Sequence, residues 1–85
     1  MKIQLKLFAS LREIIGVEFE QLDLPDQVQT LADVRTYLQG RGPRWAEALS
    51  EKKAIRGAIN QRMASEGEPV REGDEVAFFP PVTGG

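Results

Sequence analysis

The pattern of apolar and polar positions predicts that this chain alternates between strands and helices. Residues 2 to 9 alternate, and Ile3, Leu5 and Leu7 supply the apolar face of a half-buried strand. Residues 18 to 24 show a similar alternation and predict a second strand. We expect these two strands to pair in antiparallel fashion.

Three helical segments interrupt the strand patterns. Ser10 opens a sequence that matches a capping box, so the first helix is predicted to begin there and to end at Gly16. Thr30 is a favourable N-cap, and apolar residues follow it at helical spacing until Gly40, which predicts the main helix. A shorter helix is predicted to open at Pro43.

The second half of the chain predicts the remaining strands. Residues 54 to 61 and then Met63-Ala64 have strand character, and turn residues lead into a last strand from Glu75 to Phe79. A right-handed crossover would place the last strand beside the first. The expected fold is α+β, a mixed sheet with one main helix packed on one face.

The chain ends with two prolines and then two glycines. Pro80-Pro81 cannot donate to a sheet ladder, so pairing should stop there. A glycine tail can enter a channel too narrow for other residues. Terminal glycines alone are weak evidence, since two occur by chance in about one chain in two hundred. We therefore expect a domain over residues 1–81 and a flexible tail over residues 82–85 that is built for insertion: Val82, Thr83, Gly84 and Gly85.

Composition narrows the possible functions. The 85 residues are 41% hydrophobic and carry a net charge of -2 with no concentrated basic surface, which argues for one small folded domain and against nucleic-acid binding. Cysteine and histidine are both absent, which removes the usual nucleophiles, general bases and metal ligands. We expect no metal site and no self-sufficient enzyme. No signal peptide or membrane-spanning run is visible, so we expect a cytoplasmic protein without a membrane partner.

Several motifs resemble the small subunits of molybdopterin synthase, a family of ubiquitin-like β-grasp sulfur carriers. The ending from Asp74 to Gly85, DEVAFFPPVTGG, carries the most specific similarity. Leu7-Phe8-Ala9, Arg44-Trp45 and the stretch Ala58-Ile59-Asn60-Gln61 add weaker matches in the same order. The resemblance therefore spans the whole chain and implies the ubiquitin-like β-grasp fold.

The resemblance also implies the chemistry of the tail. An activating enzyme of the ubiquitin-activating type would use ATP to adenylate the Gly85 carboxylate, and sulfur from a donor protein would then displace AMP to leave a thiocarboxylate. Gly85 would thus be the reactive residue, first as a glycyl adenylate and then as 1-thioglycine. The sulfur would pass to cyclic pyranopterin monophosphate to build the dithiolene of molybdopterin. The large subunit of the synthase would supply the catalytic side chains, and this chain would hold no permanent cofactor.

The family pattern further implies a partner interface on the open face of the sheet. The matching positions are Phe8, Met63, Phe79 and Pro80. Alternation places Phe8 with the polar set, so Phe8 is either an exposed anchor or part of a second small core. Alternation does not settle which residue of Phe78-Phe79 faces inward. We expect Phe78 to face inward and Phe79 to face outward.

Three other functions are compatible with the same features. A sulfur carrier for thiamin or tRNA thiolation would use the same Gly85 chemistry with another acceptor. A ubiquitin-like protein modifier would instead join Gly85 to a lysine of a target. A plain β-grasp adaptor would carry an idle tail, and removal of Gly84-Gly85 would leave its function intact.

Overall fold

A computed structural model describes residues 1 to 81 and shows one five-stranded sheet with three helices over that range. The tail predicted for residues 82–85 lies outside the described residues. The elements, in chain order, are β1 (Lys2–Leu7), α1 (Ala9–Ile15), β2 (Phe19–Asp23), α2 (Leu31–Gln39), α3 (Pro43–Ala48), β3 (Arg56–Ile59), β4 (Arg62–Ala64) and β5 (Glu75–Phe79).

The sheet is mixed and has the spatial order β2-β1-β5-β3-β4. β1 pairs antiparallel with β2, as the sequence predicted, and parallel with β5. β3 pairs antiparallel with both β4 and β5. The last strand is therefore central, and both of its neighbours fix its position.

One hydrophobic core lies between the sheet and the helices. Ile3, Leu5 and Leu7 point into it from β1, and all three helices contribute buried side chains to the same cluster. Phe78 is 2% exposed and belongs to this core, whereas Phe79 is half-buried and lies on the opposite side of β5. The α+β, ubiquitin-like β-grasp prediction is confirmed.

The main helix forms where the sequence predicts it. The Thr30 side chain accepts a hydrogen bond from the backbone N–H of Asp33, and the Asp33 carboxylate accepts one from the N–H of Thr30. This reciprocal pair is a capping box that satisfies free backbone donors at the helix start. Along α2, the apolar residues at helical spacing face the core, and Leu31, Val34 and Leu38 are all buried.

The predicted start of the first helix is wrong. α1 begins at Ala9 with Phe8 as its N-cap and no side-chain cap, so Ser10 lies inside the helix. The reason is a hydrogen bond to the neighbouring strand. The N–H of Phe8 donates to the carbonyl of Phe78 at 3.3 Å, so Phe8 stays extended beside β5 and the helix begins directly after it. Gly16 ends α1 as predicted, in a left-handed conformation with φ of 83°.

The strands are shorter than their sequence patterns. The first strand was predicted to run to residue 9, but β1 ends at Leu7. The third strand was predicted over residues 54–61, but β3 spans only Arg56–Ile59. Asn60 and Gln61 adopt positive φ angles and form the tight turn between β3 and β4.

Neither a membrane-spanning helix nor a metal-binding cluster is found within residues 1 to 81. No helix in this range is long and apolar enough to cross a bilayer. The same range contains no group of three or more His, Cys, Asp and Glu side chains placed to hold a metal ion.

Candidate docking face

The sheet has a second face that lies opposite the helices. Because all three helices pack with the Ile3, Leu5 and Leu7 side of the sheet, side chains in the alternate phase point away from the core. We use the name open face for the part of this surface around its apolar side chains. Its members are Lys6, Phe8, Phe19, Arg56, Ala58, Met63, Glu75, Ala77 and Phe79.

A single row of side chains crosses the open face from one sheet edge to the other. Directly paired residues project on the same side of a sheet, so the strand register defines which side chains are neighbours. Lys6 is paired with Phe19 on β2 and with Ala77 on β5. Ala58 in turn is paired with Ala77 and with Met63 on β4. The row thus carries Phe19 and Met63 at its two ends.

Small side chains form the middle of this row. Ala58 and Ala77 are only 7% and 5% exposed although neither belongs to the main core. Larger neighbours shield them, while Phe19 and Met63 at the edges are 54% and 58% exposed. The result is a shallow surface with an alanine floor and large apolar residues around it. Exposed apolar surface of this kind is typical of a protein interaction site.

Phe8 and Phe79 lie at the end of the sheet where β5 finishes. Leu7 is paired with Phe78, and the Phe8 N–H donates to the Phe78 carbonyl, so the extended Phe8 comes next to Phe79 on the open face. Phe8 is 46% exposed, which indicates that it is not part of a second closed core. Pro80 follows and is half-buried. These aromatic residues surround the point where the chain leaves the sheet.

One ion pair lies on the open face near the start of β5. Lys6 Nζ is 3.1 Å from a carboxylate oxygen of Glu75, and both side chains are partly shielded from solvent. Such a pair contributes little to stability at a surface. It does neutralise two charges beside the alanine floor, and it therefore favours apolar contacts there.

The structure places three residues of the predicted interface on this face and the fourth, Pro80, directly after β5, but leaves the tail untested. Phe8, Met63, Phe79 and Pro80 lie at the accessible side or at the exit of β5, and their roles in binding stay predictions. Val82, Thr83, Gly84 and Gly85 fall outside the described residues.

Sequence reasoning missed Phe19 as a member of the face. The signal was present, because Phe19 is out of phase with Leu22, the buried residue of β2.

Comparison with known proteins supports the resemblance seen in the sequence. The sequence model of the ThiS family matches residues 5–85, which include the open face and the Gly84-Gly85 ending. The match covers far more than half of the chain.

Individual relatives agree with the family match. The molybdopterin synthase sulfur carrier subunit of Haemophilus influenzae is 49% identical over 78 residues, covering 92% of this chain and 93% of that protein. The subunit of the same name from Escherichia coli is 40% identical over 85 residues, covering 98% and 99%. Among solved structures, SAMP1 from Haloferax volcanii superposes with a TM-score of 0.76 at 32% identity over the full length of both chains. The chain therefore belongs to the ThiS family and is a relative of the molybdopterin synthase sulfur carrier subunits.

Proposed function

We propose that this protein is the sulfur carrier subunit of a molybdopterin synthase and that Gly85 carries the sulfur. The observation that supports this most directly is the family match, which continues through the terminal Gly84-Gly85. The structure adds that β5, the last described strand, is central in the sheet and lies beside an exposed apolar face. A rigid strand and a docking face next to a glycine tail suit a domain that presents its own carboxyl end to partners.

The proposed activation proceeds in two steps, adenylation and then sulfur transfer. The Gly85 carboxylate attacks the α-phosphorus of ATP, and pyrophosphate leaves, which gives the glycyl adenylate. Hydrosulfide, released at the oxidation level of sulfide by a donor protein, then attacks the carbonyl carbon, and AMP leaves as the C–S bond forms. The adenylate is required because a free carboxylate has no good leaving group. The resulting 1-thioglycine thiocarboxylate carries a nucleophilic sulfur.

The partner enzymes supply the reactive side chains in this proposal. The chain has no histidine and no cysteine, so it lacks the usual general base and thiolate. The adenylating enzyme binds the ATP, and this chain keeps no permanent cofactor. The large subunit of the synthase accepts the tail and directs its sulfur to cyclic pyranopterin monophosphate, where the dithiolene forms.

In this proposal, the residues of the open face bind the partner and thereby orient the tail. Phe8, Met63 and Phe79 offer apolar contacts on the open face, and Phe19 extends the same surface to the β2 edge. Pro80-Pro81 would stop β-pairing and direct the following residues away from the sheet. Docking on a fixed sheet would place the reactive end at a constant distance from the partner's surface.

The absence of cysteine provides a sensitive test of the proposal. A thiol-selective alkylating reagent has no cysteine to label in the unmodified chain. After incubation with ATP, the adenylating enzyme and a sulfur source, we expect one labelled site and a mass change equal to one oxygen exchanged for sulfur. Tandem mass spectrometry should map both to Gly85.

Two controls make this result decisive. A chain lacking Gly84-Gly85 should acquire no label, and omission of ATP should abolish labelling of the complete chain. Labelling that persists in the truncated chain would exclude the terminal thiocarboxylate as its source. The modified protein should then support molybdopterin formation when it is mixed with the large subunit and cyclic pyranopterin monophosphate.

A protein modifier is the second candidate, because a solved structure similar to this chain belongs to a small archaeal modifier protein. The same glycyl adenylate would then be transferred to a lysine amine, with loss of AMP and formation of an isopeptide bond. Detection of Gly85 in branched peptides from cells would favour this function. Molybdopterin formation without any conjugates would favour the sulfur carrier.

A further inference from the structure

Met63 is an exposed sulfur-containing side chain on the open face. The chain has two methionines and no cysteine, so these two thioethers are the sulfur groups of the encoded protein. Met63 is 58% exposed, more than Phe8 at 46% or Phe19 at 54%. The Met1 side chain is only 19% exposed and packs against the core. Two groups of the same chemistry therefore lie in different environments.

The position of Met63 in the sheet explains its exposure. β4 is an edge strand, and within residues 1 to 81 β3 is its single neighbour in the sheet. Met63 is paired with Ala58 on β3, whose side chain is a single methyl group. An alanine is too small to cover a long thioether side chain. Small reagents in solvent can therefore reach Met63.

A thioether that solvent can reach has a defined reaction with peroxides. The sulfur lone pair attacks one oxygen of hydrogen peroxide, the O–O bond breaks as the S–O bond forms, and the second oxygen leaves as water after proton transfer. The sulfur is oxidised to a sulfoxide, and the peroxide is reduced. Methionine sulfoxide reductases reverse the change. They use thiols as the reductant, which become a disulfide while the sulfoxide oxygen leaves as water.

We propose that Met63 is a reversible oxidation site and that its sulfoxide blocks docking through the open face. This inference rests on the proposed function, because it takes the open face as the surface that partners cover. It applies to the adenylating enzyme and to the synthase large subunit alike, since the carrier must leave each of them in every cycle. Met63 is therefore exposed to solvent repeatedly while the protein works.

The sulfoxide should affect docking much more than folding. In the free domain, the new oxygen on a side chain that is 58% exposed can stay hydrated, so the folded state loses little. A docked partner would remove that water, and Ala58, the cross-strand neighbour, has no side-chain donor to replace it. A buried polar group without a hydrogen-bond partner is costly. We expect the affinity for each partner to fall about tenfold.

The first measurement locates the oxidation. It uses protein with an ordinary carboxylate at Gly85, because a thiocarboxylate sulfur would also react with peroxide. After brief treatment with dilute hydrogen peroxide, peptide mapping by mass spectrometry should find one added oxygen on Met63 before Met1 is oxidised. The melting temperature should stay within about 2 °C of the untreated protein. A Met1 side chain that reacts as fast as Met63, or a large loss in melting temperature, would overturn the inference.

The second measurement compares binding before and after oxidation. Once peroxide has been removed, titration calorimetry should show the tenfold loss of affinity for the adenylating enzyme and for the large subunit. Treatment with methionine sulfoxide reductase and a thiol should restore both affinities. An unchanged affinity for either partner, or a loss that the reductase does not reverse, would contradict the role of the sulfoxide.

Two variants at the same position provide matched controls. Met63→Leu removes the sulfur and keeps an apolar side chain of similar size, so its affinity should be the same before and after peroxide, whatever its starting value. Met63→Gln makes the position permanently polar and should bind each partner about tenfold more weakly than the wild type without any treatment. An equal peroxide-dependent loss in Met63→Leu would show that another residue is responsible.

The proposed function is tested separately, by sulfur loading at saturating concentrations of the adenylating enzyme. Under those conditions the oxidised chain should still acquire one sulfur at Gly85, because Met63 takes no part in the chemistry. A wild-type chain that never acquires sulfur would overturn the proposed function, even if peroxide oxidised Met63 selectively.

Discussion

Phe78 and Phe79 are adjacent in the sequence and occupy opposite environments. Phe78 fills the core beside Leu7, and Phe79 lies on the open face beside Phe8 and opposite Arg56. Strand alternation causes this difference, since consecutive side chains project to opposite sides of a sheet. The two residues therefore allow stability and binding to be tested separately.

We predict that Phe79→Ala weakens binding to both partners by about 2 kcal/mol while the domain stays folded. An aromatic side chain at a docking face loses its contacts with the partner when it is truncated, but the core of this protein is untouched. Titration calorimetry would measure the affinity, and thermal melting would measure the stability.

Phe78→Ala is the matched control for this prediction. Truncation of a buried phenylalanine leaves a cavity and should cost about 3 to 5 kcal/mol of unfolding free energy. If Phe79→Ala lowered the melting temperature as much as Phe78→Ala and left the affinity unchanged, the docking role of Phe79 would be wrong.

At the level of elements, α2 depends on its capping box, and the box contains a titratable group. The carboxylate of Asp33 accepts hydrogen bonds from the backbone N–H groups of Gln29 and Thr30 at 3.0 and 3.2 Å. These bonds favour the charged form and hold the pKa of Asp33 below its ordinary value of 3.8. The stabilisation is therefore fully present above pH 3.8 and is lost as the pH falls through the lower, folded-state pKa.

We predict that Asp33→Asn lowers the melting temperature near neutral pH and that the difference from the wild type shrinks in strong acid. The substituted side chain carries no charge at any pH. The variant and the wild type therefore have the same charge at this position only when Asp33 is protonated. Melting curves recorded across the acid range would test this dependence.

Thr30→Ala is the companion variant. It should cost about 1 kcal/mol with much less dependence on pH, because the hydroxyl that it removes does not titrate. A constant difference between Asp33→Asn and the wild type down to the most acidic pH would contradict the role of the carboxylate charge.

Local sequence signals were sufficient to predict the elements but not every boundary. Thr30 and Gly16 act on backbone groups within four residues, so their effect can be read from the sequence alone. The start of α1 depends on a bond between Phe8 and Phe78, which are far apart in the chain. No nearby pattern could reveal it.

The same distinction applies to the candidate site. Alternation predicted that Phe79 faces outward, and it could also have identified Phe19. By contrast, the Arg35 side chain on α2 donates a hydrogen bond to the carbonyl of Leu49, 14 residues later in the chain, and helical periodicity gives no sign of that contact. Arg56 was visible only as one basic residue among several until the register of β3 and β5 placed it beside Phe79.

At the level of the whole molecule, the two chain ends are predicted to tolerate changes differently. An extension after Gly85 should abolish sulfur loading, because adenylation needs a free terminal carboxylate. An extension before Met1 should be tolerated. The Met1 amino group donates to the Leu24 carbonyl at 2.8 Å, and a peptide N–H at that position can still donate.

The ion pair at the amino terminus does not change this expectation. The Met1 amino group is 3.6 Å from Asp23, whose side chain is 74% exposed, and such a surface pair contributes little. The same short tag placed at either end would provide matched proteins, and alkylation followed by mass spectrometry would measure sulfur loading. Loading of a chain shown by mass to keep its carboxyl-terminal tag would refute the carrier mechanism.

The parallel pairing of β1 with β5 has a mechanical consequence. Lys2 begins β1 at one end of the sheet, and Phe79 ends β5 at the other. A pulling force applied between the amino terminus and the tail would therefore slide the two strands along each other, and it would load their hydrogen bonds together instead of one after another. The domain should resist such shear strongly, so a partner could pull on the tail without unfolding the protein that carries it.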